Sequence, residues 1–147
     1  SYNYINFKLK NQLSVFISKN VEATKEIAGR IAKKIQKGGL VCLFGELGTG
    51  KTVFVKGLAL GLGFKEFSIK SPTYTYIREH NHFYHIDLYR LERIDELLWH
   101  TIQEILENKR NIIVIEWADR LGDLLPKKRI TVRMEYLDEN SRKIIIK

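Results

Sequence analysis

The sequence predicts an α/β fold, and three observations indicate it. Segments in which apolar residues recur at helical spacing alternate along the chain with short strand-like segments. Two of these short segments contain the runs LVCLF and IIVI, which are typical of strands buried on both faces of a parallel sheet. The chain has 147 residues, two prolines and no low-complexity run. We therefore expect one domain that spans residues 1–147.

The first half of the chain predicts two strands and two helices in alternation. The first strand is rich in β-branched and aromatic residues, and Ser18 or Asn20 is available to cap the helix that follows. We expect strands at 13–18 and 40–44, and helices at 21–37 and 51–63. Glycines end both helices; they are Gly38 and Gly39 for the first helix, and Gly61 and Gly63 for the second.

The second half predicts two hairpins, one helix and one buried strand. The first hairpin turns at His80-Asn81, and helical spacing resumes at Ile94 and continues to Leu106. The predicted strands are 74–79, 82–89, 111–117, 129–136 and 142–147. Together the two halves predict a mixed sheet, mostly parallel in its centre and flanked by helices, with antiparallel hairpin strands.

Composition limits the class of protein. Basic residues outnumber acidic ones by 25 to 17, which gives a net charge of +8. This excess favours binding of RNA, of an acidic partner protein or of a phosphorylated ligand, unless the charge only increases solubility. No apolar run approaches the roughly 18 residues of a membrane span, and the amino terminus lacks the apolar core of a signal peptide. We expect a cytoplasmic protein without a membrane or DNA partner. The single cysteine, Cys42, is expected to be a small core residue.

Basic residues are spread along the sequence without interleaved aromatic residues. This pattern suggests nucleic-acid binding only weakly, because no long basic block is present. The scattered lysines are Lys33, Lys34, Lys37, Lys65, Lys109, Lys127 and Lys128.

A phosphate-binding motif follows the first buried strand. GELGTGKT fits G-x-x-x-x-G-K-[ST] at every position, between a strand pattern and a helix pattern. Glycines allow backbone N–H groups to turn toward phosphate oxygens at the positive end of the next helix. Lys51 is expected to bind the β and γ phosphates, and Thr52 to bind Mg²⁺. The predicted nucleotide-binding residues are Gly45, Glu46, Leu47, Gly48, Thr49, Gly50, Lys51, Thr52 and Val53.

Two acidic residues are candidates for the chemistry beside this loop. Glu116 ends the run IIVIE, so it is predicted to bind Mg²⁺ directly or through water, unless it only pairs with a surface lysine. Asp87 is predicted to orient a water molecule for attack, with a salt bridge to Arg90 as the alternative. Together with Lys51, these acids form the predicted catalytic set.

We interpret the histidine and tryptophan residues as structural and not as ligands of a metal or substrate. His82 and His85 point to opposite faces of a continuous strand, and no cysteine is nearby, so we reject a zinc site that also includes His80. Trp99 and Trp117 are interpreted as packing residues.

Four elements together resemble the TsaE (YjeE) family of small bacterial ATPases: GELGTGKT, SPTYTY, HIDLYRL and IEWADRL. The resemblance extends from about Asn20 to Pro126. It implies a P-loop fold, ATP and Mg²⁺ as ligands, and a role in forming threonylcarbamoyladenosine in tRNA that reads adenine-starting codons. It also implies that TsaB and TsaD are protein partners, that TsaD transfers the threonylcarbamoyl group, and that ATP hydrolysis resets the assembly.

Site residues carried over by the resemblance agree with the choices above. Lys51 and Thr52 match the phosphate and magnesium residues, and Glu116 and Asp87 match the two acids. The segment 71–73 matches one expected near the γ phosphate, where it would act as a nucleotide-sensing switch. Thr101 departs from the glycine that is common in the family, which puts a helix break there in doubt.

Two other functions remain open from the sequence. Asp87 would also suit a small-molecule or nucleotide kinase, although little chain is left for a lid and an acceptor pocket. The basic surface would also suit an ATP-dependent RNA-binding module. No arginine is an obvious transition-state residue; Arg78, Arg90, Arg120 or a partner's residue would serve, so slow hydrolysis by the isolated chain is expected.

Overall fold

The computed structural model describes residues 6–8, 13–46, 48–65 and 76–147. The strands are β1 Asn6–Lys8, β2 Ser14–Ser18, β3 Gly39–Phe44, β4 Ile77–His80, β5 Phe83–Asp87, β6 Ile112–Glu116, β7 Ile130–Tyr136 and β8 Arg142–Ile146. The α-helices are α1 Val21–Lys34, α2 Lys51–Gly61 and α3 Glu96–Glu107, and a 3₁₀ segment occupies Ala118–Leu124. Within these described ranges, every helix is too short to cross a bilayer.

The eight strands form one mixed sheet in the order β1-β2-β8-β7-β3-β6-β5-β4. The four central strands β7, β3, β6 and β5 are parallel, and the outer pairs are antiparallel. This confirms the predicted sheet with a parallel centre and hairpin edges. Because the central strands are parallel, their carboxyl ends lie at one edge of the sheet and their amino ends at the other.

Helices cover both faces of the sheet. Helices α1 and α2 pack on one face with Val41, Leu43 and Val114, while α3 and the 3₁₀ segment pack on the other with Cys42 and Ile115. Alternate residues of β3 and β6 thus enter opposite cores, which explains why the runs LVCLF in β3 and IIVI in β6 are apolar. Burial raises the pKa of the Cys42 thiol to about 12, as expected for the core cysteine predicted from the sequence.

One predicted capping residue of α1 is confirmed, and the end of this helix differs from the prediction. The side chain of Asn20 accepts a hydrogen bond of 2.7 Å from the backbone N–H of Ala23 and so caps α1. Helix α1 ends at Lys34, three residues before the predicted end, and the N–H of Ile35 donates to the carbonyl oxygen of Ala32. A separate turn follows, in which the N–H of Gly38 donates to the carbonyl oxygen of Ile35. Helix α3 runs without interruption through Thr101, so the chain has no helix break at this position.

Three strands and one 3₁₀ segment differ from the sequence prediction. Strand β1 and the 3₁₀ segment were not predicted, because neither has a strong periodic signal. Strand β4 begins at Ile77, and the predicted strand residues 74–75 lie outside the described part. Strand β5 ends at Asp87 rather than at 89, because the carboxylate of Asp87 accepts the N–H of Tyr89 at 3.0 Å and turns the chain.

Candidate nucleotide-binding site

The loop after β3 adopts backbone conformations that require glycine. Gly45, Gly48 and Gly50 all have positive φ, and Gly50 is the N-cap of α2. A Cβ atom at Gly45 would lie 2.5 Å from the carbonyl oxygen of Met134 on β7. The glycine at position 45 is therefore needed both for its φ and for the close approach of β7. Leu47 of the predicted site lies outside the described residues.

Lys51 is the first residue of α2 and is only 6% exposed. Its ammonium donates hydrogen bonds to the carbonyl oxygens of Gly45 and Glu46, and it lies 4.2 Å from the ring centroid of Trp117. Burial lowers the pKa of Lys51, and the nearby carboxylates of Glu116 and Asp87 oppose that shift. The amine is thus held within the loop, close to both predicted acids.

Asp87 and Glu116 are neighbours across two parallel strands. Asp87 pairs with Glu116 in the β5–β6 register, and Glu116 pairs with Leu43 of β3, two residues before the loop. Three strand ends therefore bring both acids beside the phosphate-binding motif. A cleft of about 340 Å³ opens between these groups, lined by Gly48, Thr49, Gly50, Lys51, Thr52, Val53, Asp87, Tyr89, Glu116 and Trp117.

The two acids have different surroundings. Burial raises the pKa of the half-buried Asp87, and Glu116 adds to the rise; the N–H of Tyr89, His85 and Lys51 act in the opposite direction. Glu116 is almost fully buried, and its Oε2 lies 2.5 Å from Nε2 of the equally buried His85. The imidazole thus fixes the orientation of one carboxylate oxygen. The other ring nitrogen of His85, Nδ1, has no hydrogen-bond partner among the described residues.

Two residues that line the cleft, Trp117 and Tyr89, were missed by the sequence prediction. Trp117, interpreted there as a packing residue, follows Glu116 with a left-handed backbone at φ 58°, and its ring faces the Lys51 amine. The Tyr89 ring lies 5.0 Å from it, and the guanidinium of Arg120 lies 5.4 Å from its centroid. The position of Trp117 directly after the predicted acid was the only available signal.

The phosphate loop is also supported from the last hairpin. The guanidinium of Arg142 on β8 donates a hydrogen bond of 3.1 Å to the carbonyl oxygen of Gly48 and lies 4.8 Å from the Tyr136 ring. Thr49 is buried, and its hydroxyl donates to the carbonyl oxygen of Glu46 at 2.8 Å. Arg142 had no recognisable pattern in the sequence, because it is far from the loop along the chain.

The remaining predicted residues have the following positions. Thr52 is exposed at the start of α2 and lines the cleft, as does Val53. The segment 71–73 lies outside the described residues. The three histidines have separate surroundings: the His80 ring packs on Phe64, His82 is in the β4–β5 turn with Nδ1 3.1 Å from Asn111, and His85 contacts Glu116.

Oxygen donors around the cleft suit a magnesium–nucleotide complex. The Thr52 hydroxyl and the carboxylates of Glu116 and Asp87 are hard oxygen ligands, which Mg²⁺ prefers together with phosphate oxygens. Among the described residues, no group of three or more His, Cys, Asp or Glu forms a complete cage for a metal. This donor set fits a cation that keeps several of its ligands from water and phosphate.

Comparisons with known proteins agree with this fold and identify the family. Residues 18–144 match the family model described as "Threonylcarbamoyl adenosine biosynthesis protein TsaE". The TsaE protein of Treponema pallidum is 34% identical over 88% of this chain and 97% of its own length, and that of Bacillus subtilis is 36% identical over 85% and 79%. The crystal structure of Bacillus subtilis YdiB superposes with a TM-score of 0.71 at 27% identity, covering 99% of this chain and 87% of that one. The chain therefore belongs to the TsaE family of tRNA threonylcarbamoyladenosine biosynthesis proteins.

Proposed function

We propose that this TsaE-family chain binds and hydrolyses MgATP, and that it acts on the TsaB–TsaD pair during tRNA threonylcarbamoyladenosine formation. The observation that supports hydrolysis is the meeting of a glycine loop, a buried lysine and two carboxylates at the carboxyl edge of β3, β5 and β6. Phosphoryl transfer depends mostly on positioning and electrostatic stabilisation, and these groups supply both.

Each group has a definite role in this proposal. The N–H groups of the loop and the start of α2 bind phosphate oxygens. The Lys51 amine exchanges the carbonyl oxygens of Gly45 and Glu46 for the β and γ phosphates. Thr52 and Glu116 would hold Mg²⁺, which would supply positive charge beside the phosphates. Asp87, across the register from Glu116, orients the attacking water.

Hydrolysis by the isolated chain is expected to be slow. Among the described residues that line the cleft, there is no arginine to stabilise the transition state. Arg120 adjoins the cleft, but its guanidinium lies against Trp117 and donates to the carbonyl oxygen of Tyr89 at 3.4 Å. A partner that moves Arg120, or supplies its own arginine, would raise the rate. We place this activity in the cytoplasm, together with tRNA, TsaB and TsaD.

The test measures ATP hydrolysis by the purified chain, alone and with TsaB–TsaD, beside Glu116→Gln and Asp87→Asn. We expect the partners to raise the rate and both variants to lose it. A rate that ignores TsaB–TsaD contradicts the assembly role, and variants that keep full activity contradict the two acid roles. Transfer of phosphate to an added small-molecule or nucleotide acceptor would favour a kinase instead.

A further inference from the structure

The amino edge of the parallel strands gathers basic residues that are scattered in the sequence. The segments 33–38, 108–111 and 126–129 directly precede β3, β6 and β7, which are adjacent parallel strands. Their sequences, KKIQKG, NKRN and PKKR, contain eight basic residues and no acidic one. The chain has 25 basic and 17 acidic residues, so the other 17 basic residues balance all the acids. The net charge of +8 is therefore concentrated at this edge.

A cavity of about 540 Å³ opens within this edge. Its rim carries Lys34, Lys109, Lys128 and Arg129, and its floor is apolar, formed by Ile35, Leu40, Leu106, Ile113 and Ile130. No acidic or aromatic side chain is among the described lining residues. Glu107 ends α3 beside the segment 108–111 but does not line the cavity. The cavity size is within the usual range of ligand-binding pockets.

Arg129 shows that the positive rim lacks an internal counter-charge. This half-buried side chain donates to two neutral acceptors, the carbonyl oxygen of Pro126 at 2.7 Å and the hydroxyl of Thr131 at 3.2 Å. Within the described ranges, no carboxylate forms an ion pair with Arg129, Lys34, Lys109 or Lys128. A partly desolvated guanidinium that donates only to neutral acceptors favours an anionic group from outside.

The walls of the cavity are held in place by close backbone contacts. Gly38 has φ 126°, and a Cβ atom there would lie 1.8 Å from the carbonyl oxygen of Lys109. Asn111 donates its side-chain N–H to the carbonyl oxygen of Ile105 at 2.9 Å, and its own carbonyl oxygen accepts the N–H of Gly39 at 3.0 Å. The end of α1 and the α3–β6 turn therefore form one preformed surface, which lowers the cost of binding.

We propose that this basic cavity binds an acidic segment of a partner protein, which inserts an apolar side chain between the lysines. Charge complementarity requires carboxylates or phosphates, and the apolar floor requires a hydrophobic anchor. An RNA backbone supplies only the first, and the described lining has no aromatic platform on which bases would stack. Two of the lysines, Lys33 and Lys34, also stabilise the end of α1, but this does not explain the other six basic residues.

The test rests on the proposed function because its probe is the TsaB–TsaD pair. Binding of that pair is measured by calorimetry for the native chain and for Lys109→Glu/Lys128→Glu, at low and moderate salt. We expect binding about tenfold or more weaker, and a smaller salt dependence, with basal ATP hydrolysis unchanged. The control, Lys19→Glu/Lys143→Glu, has the same net charge but changes the opposite edge of the sheet, and we expect near-native affinity.

Leu106→Ala tests the apolar anchor separately from charge. Leu106 lines the floor, so its truncation should weaken the TsaB–TsaD complex several-fold and leave the salt dependence unchanged. Thermal melting and ATP hydrolysis check that this variant is folded.

If the native chain does not bind TsaB–TsaD, the proposed function fails. If it binds and both cavity variants keep native affinity, only this inference fails. RNA binding would be tested by retention of tRNA on the isolated chain. If this retention is steeply salt-dependent and is lost in the charge variant while TsaB–TsaD binding persists, the inference of an acidic protein partner is overturned in favour of RNA.

Discussion

The two edges of the parallel strands present positive charge by different means. At the carboxyl edge, a glycine loop and the start of α2 supply backbone N–H groups, so a single buried lysine accompanies two carboxylates. At the amino edge, α1 ends, and its last carbonyl groups favour cations. An anionic partner at this edge would therefore be bound by side chains, and eight basic residues are available there. Positive charge thus comes mainly from backbone N–H groups at the carboxyl edge and from side chains at the amino edge.

Loss of Lys51 should separate the two edges most strongly. In Lys51→Met, ATP hydrolysis should fall by about 100-fold or more, because the charge that contacts the phosphates is removed. Binding of TsaB–TsaD through the amino edge should change by less than about threefold in the absence of nucleotide. Steady-state hydrolysis and calorimetry measure the two effects. Equal loss of both would show that the edges are not independent.

Two His–Glu pairs allow the stability contributions of a buried and an exposed pair to be compared. His85→Leu leaves the buried Glu116 without its hydrogen bond, and we expect the free energy of unfolding to fall by about 3 kcal/mol. His100→Leu removes an exposed pair on α3, with 3.1 Å between Nε2 and the Glu104 carboxylate, and should cost less than about 0.5 kcal/mol. Urea unfolding in metal-free buffer measures both. Equal costs would mean that His85 does not hold Glu116.

Substitution of Gly38 should damage the amino edge alone. Gly38→Ala introduces a Cβ into the Lys109 carbonyl oxygen at an unfavourable φ, and we expect a loss of about 2 kcal/mol in unfolding free energy together with weaker TsaB–TsaD binding. Gly63→Ala is the control, because Gly63 also has positive φ but open space around it, and should cost only about 1 kcal/mol. Nucleotide affinity should remain native in both variants.

The sequence predicts the carboxyl edge better than the amino edge, and the reason is physical. Gly45 to Thr52 form one contiguous motif, and Asp87 and Glu116 each lie near the end of a recognisable strand, so local pattern is sufficient. The contacts of Trp117 and Arg142 with the loop depend on a left-handed residue and on the β7–β8 hairpin, which local periodicity does not encode. The sequence prediction likewise treats the basic residues of the amino edge as scattered lysines. Three segments that are distant along the chain come together there only because of the order of the strands in the sheet.

The smallest predicted effect concerns the cost of placing Asp87 beside Glu116. Burial and Glu116 raise the pKa of Asp87 above the ordinary value of 3.8, so the folded state binds this proton more tightly than the unfolded state does. Stability of the native chain therefore falls as pH rises through the interval between the two pKa values.

Asp87→Asn removes the charge but keeps an oxygen acceptor for the Tyr89 N–H. In metal-free buffer at neutral pH, the variant should be more stable by less than about 1 kcal/mol, since the side chain is only half-buried. The difference should vanish well below pH 3.8, where Asp87 is neutral in both states. Thermal melting over that pH range measures it, and a variant less stable than the native chain at neutral pH would show that Asp87 stabilises the fold instead of straining it for function.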